Sequence, residues 1–267
     1  MKQLGFIGAG NMARAIGAGL VRSRADYRLA ASDTDPGQTE RFGAETGGTA
    51  MPDNLSLVEQ SEVILLAVKP QVMAEVLAEI APAIRPSHLV ISIAAGIPLA
   101  TLSRALGAAT RTVRVMPNMP ALIGKGTSVL VGGARATRED LATTEKLFAG
   151  IGEVVVIGDE DLMDAVTAVS GSGPGFLFAF AEALIDAAQD AGLSAELAVT
   201  LVEQTLYGAA TLLRQTPEPA AKLRAMVSSP GGTTLAGLDA LAAGHFAETI
   251  RSAIRAATRR SRELSQS

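Results

Sequence analysis

Two glycine-rich clusters, far apart in the chain, hold residue types and spacings suited to chemistry. The first is Gly8-Ala9-Gly10-Asn11-Met12-Ala13, directly after residues 3–7, which read as a short buried strand. In a G-x-G-x-x-A turn between strand and helix, the first glycine makes the tight turn. The second lets the backbone approach a pyrophosphate, and the alanine lets helix pack closely on strand. The helix N-terminus then offers free N–H groups to the anion. Ile7, Gly8, Ala9, Gly10, Asn11 and Met12 are thus candidates for holding a dinucleotide; a glycine-rich turn without ligand is the plain alternative. The second cluster is Ser228-Ser229-Pro230-Gly231-Gly232-Thr233-Thr234, which leads into an Ala/Leu-rich helix. Its glycines and the helix start expose N–H donors flanked by hydroxyls, which suits a carboxylate. A helix–helix turn capped by Thr233 is the alternative there.

Other candidates follow from where strand ends must lie. The end of the strand at residues 27–32 meets the adenine ribose in such a layout, which puts Ser32, Asp33, Thr34 and Asp35 there. Asp33 comes about 20 residues after Gly10, the spacing at which a carboxylate bonds a ribose 2′-hydroxyl and repels a 2′-phosphate. No Arg or Lys lies in this loop before Arg41. The local residues therefore lean to NADH, with NADPH left open. Capping of the next helix by Asp33 or Asp35 is the competing role. Ala67-Val68-Lys69-Pro70 and Ala94-Ala95-Gly96 follow two further strands at the same edge. Lys69 either contacts the cofactor or is a surface lysine, and Asn54 either caps a helix or reaches the adenosine.

These residues need a scaffold. Strand patterns at residues 3–7, 27–32, 62–68, 88–93, 112–116, 127–132 and 153–157 alternate with helical ones, which predicts a doubly wound α/β Rossmann domain over residues 1–160. Beyond it, 3.6-residue periodicity takes over, with helices expected at 161–191, 195–215, 217–227, 233–243 and 245–264. Residues 161–267 therefore read as an all-α domain, with Gly192 ending one helix and Ser194 capping the next. The small, helix-breaking run Ser170-Gly171-Ser172-Gly173-Pro174-Gly175 costs helix stability and calls for close packing or a ligand. Such an Ala-rich helical half is expected to bury its surplus apolar surface in a homo-oligomer.

Composition excludes several classes. The 267 residues are 48% apolar and 3% aromatic, enough for a large core of small side chains. A net charge of −4 without like-charge blocks argues against nucleic acid or an anionic membrane as partner; Arg259, Arg260 and Arg262 read as a solvated helix end. There is no cysteine and there are two histidines, His88 and His245, so no metal site is expected. Arg14 interrupts the apolar start, unlike a signal peptide. Residues 165–181 carry no charge, but Gly and Pro break them, and an interface helix is the better reading than a membrane span. A cytoplasmic location is expected.

Taken together, the segments GFIGAGNMA (5–13), AVKP (67–70), SIAAG (92–96), RVMPNMPA (114–121), DAVTAVSGSGPGF (164–176) and SSPGGTT (228–234) resemble the Δ1-pyrroline-5-carboxylate reductase family. Gly175-Phe176 departs from the usual Ala-Tyr, and Met226 stands where some members carry Asn near the cofactor ribose. The resemblance implies hydride transfer from NADPH or NADH to the imine carbon of pyrroline-5-carboxylate, giving L-proline. It implies that Thr234 hydrogen-bonds the imine nitrogen and that backbone N–H groups of Gly232, Thr233 and Thr234 hold the carboxylate. Gly231 shapes that turn, and Ser229 and Glu160 lie at the pocket edge. It implies a homodimer, assembled further into a pentamer of dimers. Two other readings share the layout. A β-hydroxyacid dehydrogenase needs a catalytic lysine on a later helix, whereas the only lysine after Lys146 is Lys222, just before the glycine-rich turn. A non-catalytic dinucleotide or vitamin-phosphate binder does not need the 228–234 turn.

Overall fold

Apolar runs such as Val63–Leu66, buried along their whole length, suit parallel strands covered by helices on both faces. The computed structural model describes residues 2–266 and, among them, joins eight strands into one sheet. These are β1 (Lys2–Ile7), β2 (Tyr27–Ser32), β3 (Thr49–Ala50), β4 (Val63–Leu66), β5 (Leu89–Ser92), β6 (Arg111–Met116), β7 (Gly126–Gly132) and β8 (Gly152–Val156), in the order β3-β2-β1-β4-β5-β6-β7-β8. The intervening helices are α1 (Asn11–Arg22), α2 (Pro36–Thr46), α3 (Asn54–Gln60), α4 (Met73–Ile80), α5 (Leu99–Leu106) and α6 (Arg138–Ala149). The chain runs outward from β1 to β3, then returns to the other flank of β1 at β4. That reversal opens a crevice beyond the carboxyl ends of β1 and β4, where ligands bind in open parallel sheets. Ile7 pairs with both Ser32 and Leu66, and Leu66 with Ser92, so the segments after β1, β2, β4 and β5 share one edge.

Two apolar clusters hold this architecture. Phe6, Ile16, Phe42 and Phe148 fill the face under α1, α2 and α6; Ile7, Leu57, Leu66, Leu77 and Leu102 fill the face under α3, α4 and α5. Successive β1 residues thus feed opposite layers, as strand geometry requires. Each such side chain contributes roughly 1.5–3 kcal/mol on burial. The Phe6 and Phe42 rings tilt at 54° with centroids 5.0 Å apart. α1 crosses α6 at glycine: a Cβ on Gly19 would meet the Gly150 carbonyl at 3.0 Å, and one on Gly150 would meet the Gly19 carbonyl oxygen at 2.7 Å. Thr137 and Asp140 form a capping box at the start of α6.

The sheet departs from the expectation in two ways. β3 was not foreseen as an element; it has only two residues, too few to show a period. β7 runs antiparallel to β6, because the short 3₁₀ turn Met119–Ile123 reverses the chain where a crossover helix was unnecessary. The expected helix at 161–191 is segmented: a 3₁₀ turn Glu160–Leu162, then α7 (Met163–Val166), a π-helical turn Thr167–Gly171, and α8 (Gly173–Asp190). Pro174 has no N–H for the carbonyl of Ser170. That carbonyl instead accepts from Asn118 Nδ2 at 3.2 Å, while the Ser172 N–H reaches back to Thr167 O at 2.8 Å.

By packing, the chain divides into a unit of Met1–Ser172 with Ala257–Ser267 and a unit of Gly173–Ala256. The change from strand to helix pattern near residue 160 comes earlier than this division, since Met163 and Ala168 are buried in the first unit. The second unit holds α8, α9 (Ala195–Gln215), α10 (Ala220–Met226), α11 (Thr233–Ala243) and the start of α12 (Phe246–Gln266). Ser194 caps α9 through the Leu197 N–H, as expected. No residue of α8 is buried, and Phe176, Leu177, Phe178 and Phe180 all lie open on it.

Candidate active site

The turn after β1 has the features a pyrophosphate requires. Gly8 sits at φ 93°, and a Cβ there would lie 2.8 Å from the Ala67 carbonyl oxygen, so no other residue fits. Its N–H donates to Ser32 O at 2.8 Å, fixing the turn to β2. Gly10 is the N-cap of α1, with no side chain capping the helix and open space where its Cβ would be. The first-turn N–H groups of Asn11 and Met12 are therefore left for an anion. Ala13 is fully buried, allowing α1 its close approach to the sheet. These features fit a dinucleotide.

The neighbouring carboxylates divide the two roles left open by the sequence. Asp35 caps α2, accepting from Gly37 N at 2.9 Å. Asp33 instead accepts from Ala9 N at 2.8 Å through one oxygen and from Asp35 N at 3.0 Å through the other, which aims its carboxylate at the glycine turn. The nearby cations are already engaged. Arg14 reaches Glu45 at 3.2 Å and donates to Gln38 and Asn11, and Arg41 stands 4.0 Å from Asp35.

Asn54 does not cap α3; Asp53 does, accepting from Ser56 N at 2.6 Å. That bond to Ser56 holds the Asp53 carboxyl below its usual range. The Asn54 amide faces the sheet edge, accepting from Ser32 Oγ and donating to Glu79 Oε2, both at 2.7 Å. Glu79, on α4, was missed by sequence reasoning; nothing in its spacing marks a partner in α3. Ala67 and Val68 are half-buried beside the turn, and Lys69 and Pro70 are exposed. Among the described residues Lys69 has no ion pair. Ala94 is buried, Ala95 follows it, and Gly96 turns at φ 73°. The first unit thus brings every sequence-expected cofactor residue to the carboxyl edge of the sheet.

In the second unit, Gly231 turns the chain at φ 70° and Gly232 is the N-cap of α11. Two expectations change here. Thr233 is the first helical residue rather than the cap. The Gly232 N–H is already donated to Ser229 O at 3.0 Å, since the tight turn closes on itself. The first intrahelical bond is Ala236 N to Gly232 O, so the N–H groups of Thr233, Thr234 and Leu235 form the open end, flanked by exposed threonine hydroxyls. Glu160, expected at a pocket edge, spends one oxygen within the first unit on Leu99 N at 2.8 Å and on the buried Arg114 at 2.7 Å.

Comparison with known proteins bears directly on this arrangement. Residues 160–264 match the family model for pyrroline-5-carboxylate reductase dimerisation, and residues 3–96 match that of the F420-dependent NADP oxidoreductases. The Arabidopsis thaliana pyrroline-5-carboxylate reductase is 40% identical over 99% of this chain and 96% of its own length. The chain belongs to the pyrroline-5-carboxylate reductase family. Solved members superimpose over its whole length. The reductase of Coxiella burnetii has a TM-score of 0.93 at 34% identity, covering 100% of this chain and 99% of its own. The Plasmodium falciparum enzyme, solved with NADP bound, gives 0.88 at 31%, covering 99% and 98%. Membership of the pyrroline-5-carboxylate reductase family sets aside the β-hydroxyacid dehydrogenase reading.

Proposed function

We propose that this chain reduces Δ1-pyrroline-5-carboxylate to L-proline with NADH or NADPH, completing proline biosynthesis. The observation that carries the reading is the uncapped start of α11: N–H groups of Thr233 and Thr234 with no helical acceptor, beside two hydroxyls, inside the stretch matching the family's dimerisation model. A substrate carboxylate placed there gains charge-assisted hydrogen bonds and the favourable end of the helix dipole. The Thr234 hydroxyl hydrogen-bonds the imine nitrogen and holds the ring in register. Ser229 closes the turn through its carbonyl and borders the site, and Gly231 sets its curvature.

The bound nicotinamide supplies a hydride to the imine carbon. A cyclic imine is readily protonated near neutral pH, and the iminium accepts hydride without a strong acid on the protein. That accords with a site of amides and hydroxyls, in which orientation supplies most of the acceleration. Asn11 and Met12 hold the pyrophosphate, Asp33 and Asn54 face the adenosine ribose, and segments 67–70 and 94–96 line the nicotinamide side. The Asp33 carboxylate, with Arg14 and Arg41 already paired, favours a free 2′-hydroxyl and hence NADH.

The open apolar face of α8 is covered by a second copy of the chain, giving a homodimer and, by further assembly, a pentamer of dimers. The run Glu160–Asp190 is long and apolar enough to cross a bilayer by length and composition. Its place in the dimerisation stretch and its charged Glu182 and Asp186 favour protein as the cover, and the enzyme is cytoplasmic. Purified protein given pyrroline-5-carboxylate is expected to oxidise NADH or NADPH and release proline. No turnover with either dinucleotide overturns the reading.

A further inference from the structure

A loop that orients a cofactor has to be held from behind. The segment after β5 is tied to the sheet at its start, where Ile93 N donates to Leu66 O at 3.1 Å. At its far end, a Cβ on Gly96 would lie 3.1 Å from Leu264 Cβ and 3.4 Å from the Leu264 carbonyl carbon. The last turns of α12 thus lie so close to the loop backbone that no side chain fits at Gly96. Those turns are anchored independently of the loop. Ser261 is 4% exposed and donates its hydroxyl to Asp164 Oδ1, on α7, at 2.6 Å. Arg262 Nε stands 3.7 Å from the other oxygen of Asp164. On the α4 side the loop borders an open groove of about 670 Å³, with Gln71, Ala95, Gly96, Leu264 and Ser265 among its walls. At Gly96 it is the helix turn that backs the loop.

We infer that the end of α12, pinned by Ser261 to Asp164, is a strut that sets the position of the 94–96 loop and through it the affinity for the dinucleotide. The inference rests on the reading that this loop lines the cofactor site. Ser261 and Asp164 act as positioning residues that do not touch the cofactor. The contact at Gly96 is made by backbone and Cβ, so truncating Leu264 to alanine leaves it in place. Loosening the anchor moves it. A hydroxyl donating to a carboxylate is a strong, short bond, and losing it frees the turn to drift away from Gly96.

The test is a fluorescence titration of NADH and NADPH into the full-length protein without substrate, followed by steady-state kinetics. Ser261→Ala is expected to weaken binding of the favoured dinucleotide about fivefold, the low end of coupling between sites. Its KM for that cofactor should rise in step while kcat stays within about twofold. Ser261→Thr, which keeps the hydroxyl, is expected to stay near wild type. Amide exchange at residues 94–97 should quicken in Ser261→Ala alone. Should that variant fail to fold, Arg262→Ala carries the test through an exposed side chain, with about a twofold weakening expected from the lost ion pair. A lowered melting temperature with unchanged dinucleotide affinity in the variant used overturns the strut and leaves the function standing. Wild-type protein that binds neither dinucleotide overturns both.

Discussion

A small cyclic imine bearing a carboxylate asks little of side-chain acids. It asks for an anchor for the carboxylate and one hydrogen bond at the nitrogen. In the proposed pose Thr234 offers both, through its backbone N–H and its hydroxyl. Thr234→Ala keeps the first and removes the second. It is therefore expected to lower kcat by about 100- to 1,000-fold, the range for one positioned hydrogen-bond donor, with cofactor affinity unchanged; steady-state kinetics with each substrate varied decides this. Asp33 braces the Ala9 N–H and, in the proposed cofactor pose, faces the ribose. Asp33→Ser is expected to raise kcat/KM for NADPH relative to NADH about tenfold, in line with removing a charge from beside a 2′-phosphate. An unchanged ratio in wild type and variant takes Asp33 out of cofactor choice.

At the level of elements, local signals explain what the sequence disclosed. Gly8 could be read from spacing because it meets a steric demand of its own turn. The strands β4 and β5 could be read because burial on both faces leaves largely apolar runs. What escaped depends on partners distant in sequence. Glu79 reaches Asn54 from another helix, and the π-helical turn forms because Asn118, far upstream, takes the carbonyl that Pro174 cannot serve. The free N–H groups of α11 were foreseen, but the loss of Gly232 to an internal turn bond was not, since turn closure is set by backbone angles. His88, just before β5, gives this scale a measurable handle. Its ring is buried and sits beside Arg85, with Arg111 adding further positive charge, and burial first, then these charges, push its pKa below the ordinary 6.5. The unfolded chain therefore binds more protons between that lowered value and 6.5, so stability falls as pH drops through this window and levels off below it. Melting temperatures measured from about pH 7 to pH 5 should fall less in His88→Gln than in the parent; equal slopes remove His88 from the acid response.

For the whole molecule, the surplus apolar surface of the second unit is the dominant feature. Phe178 is 54% exposed on a helix with nothing buried, which suits an interface anchor. Phe178→Asp is expected to cost about 2–4 kcal/mol of association and shift the protein from dimer or larger to monomer, read by light scattering. Retention of the parent mass places the interface elsewhere. The first unit carries a different constraint at the crossing of α1 and α6. Gly19 and Gly150 lie against each other's backbone, and a methyl group at either would enter the same crevice. A second substitution cannot compensate the first, because each only adds bulk. The close approach of α1 to α6 should therefore be silent in any search for correlated changes among relatives, and should show instead as two intolerant columns in a library of single variants.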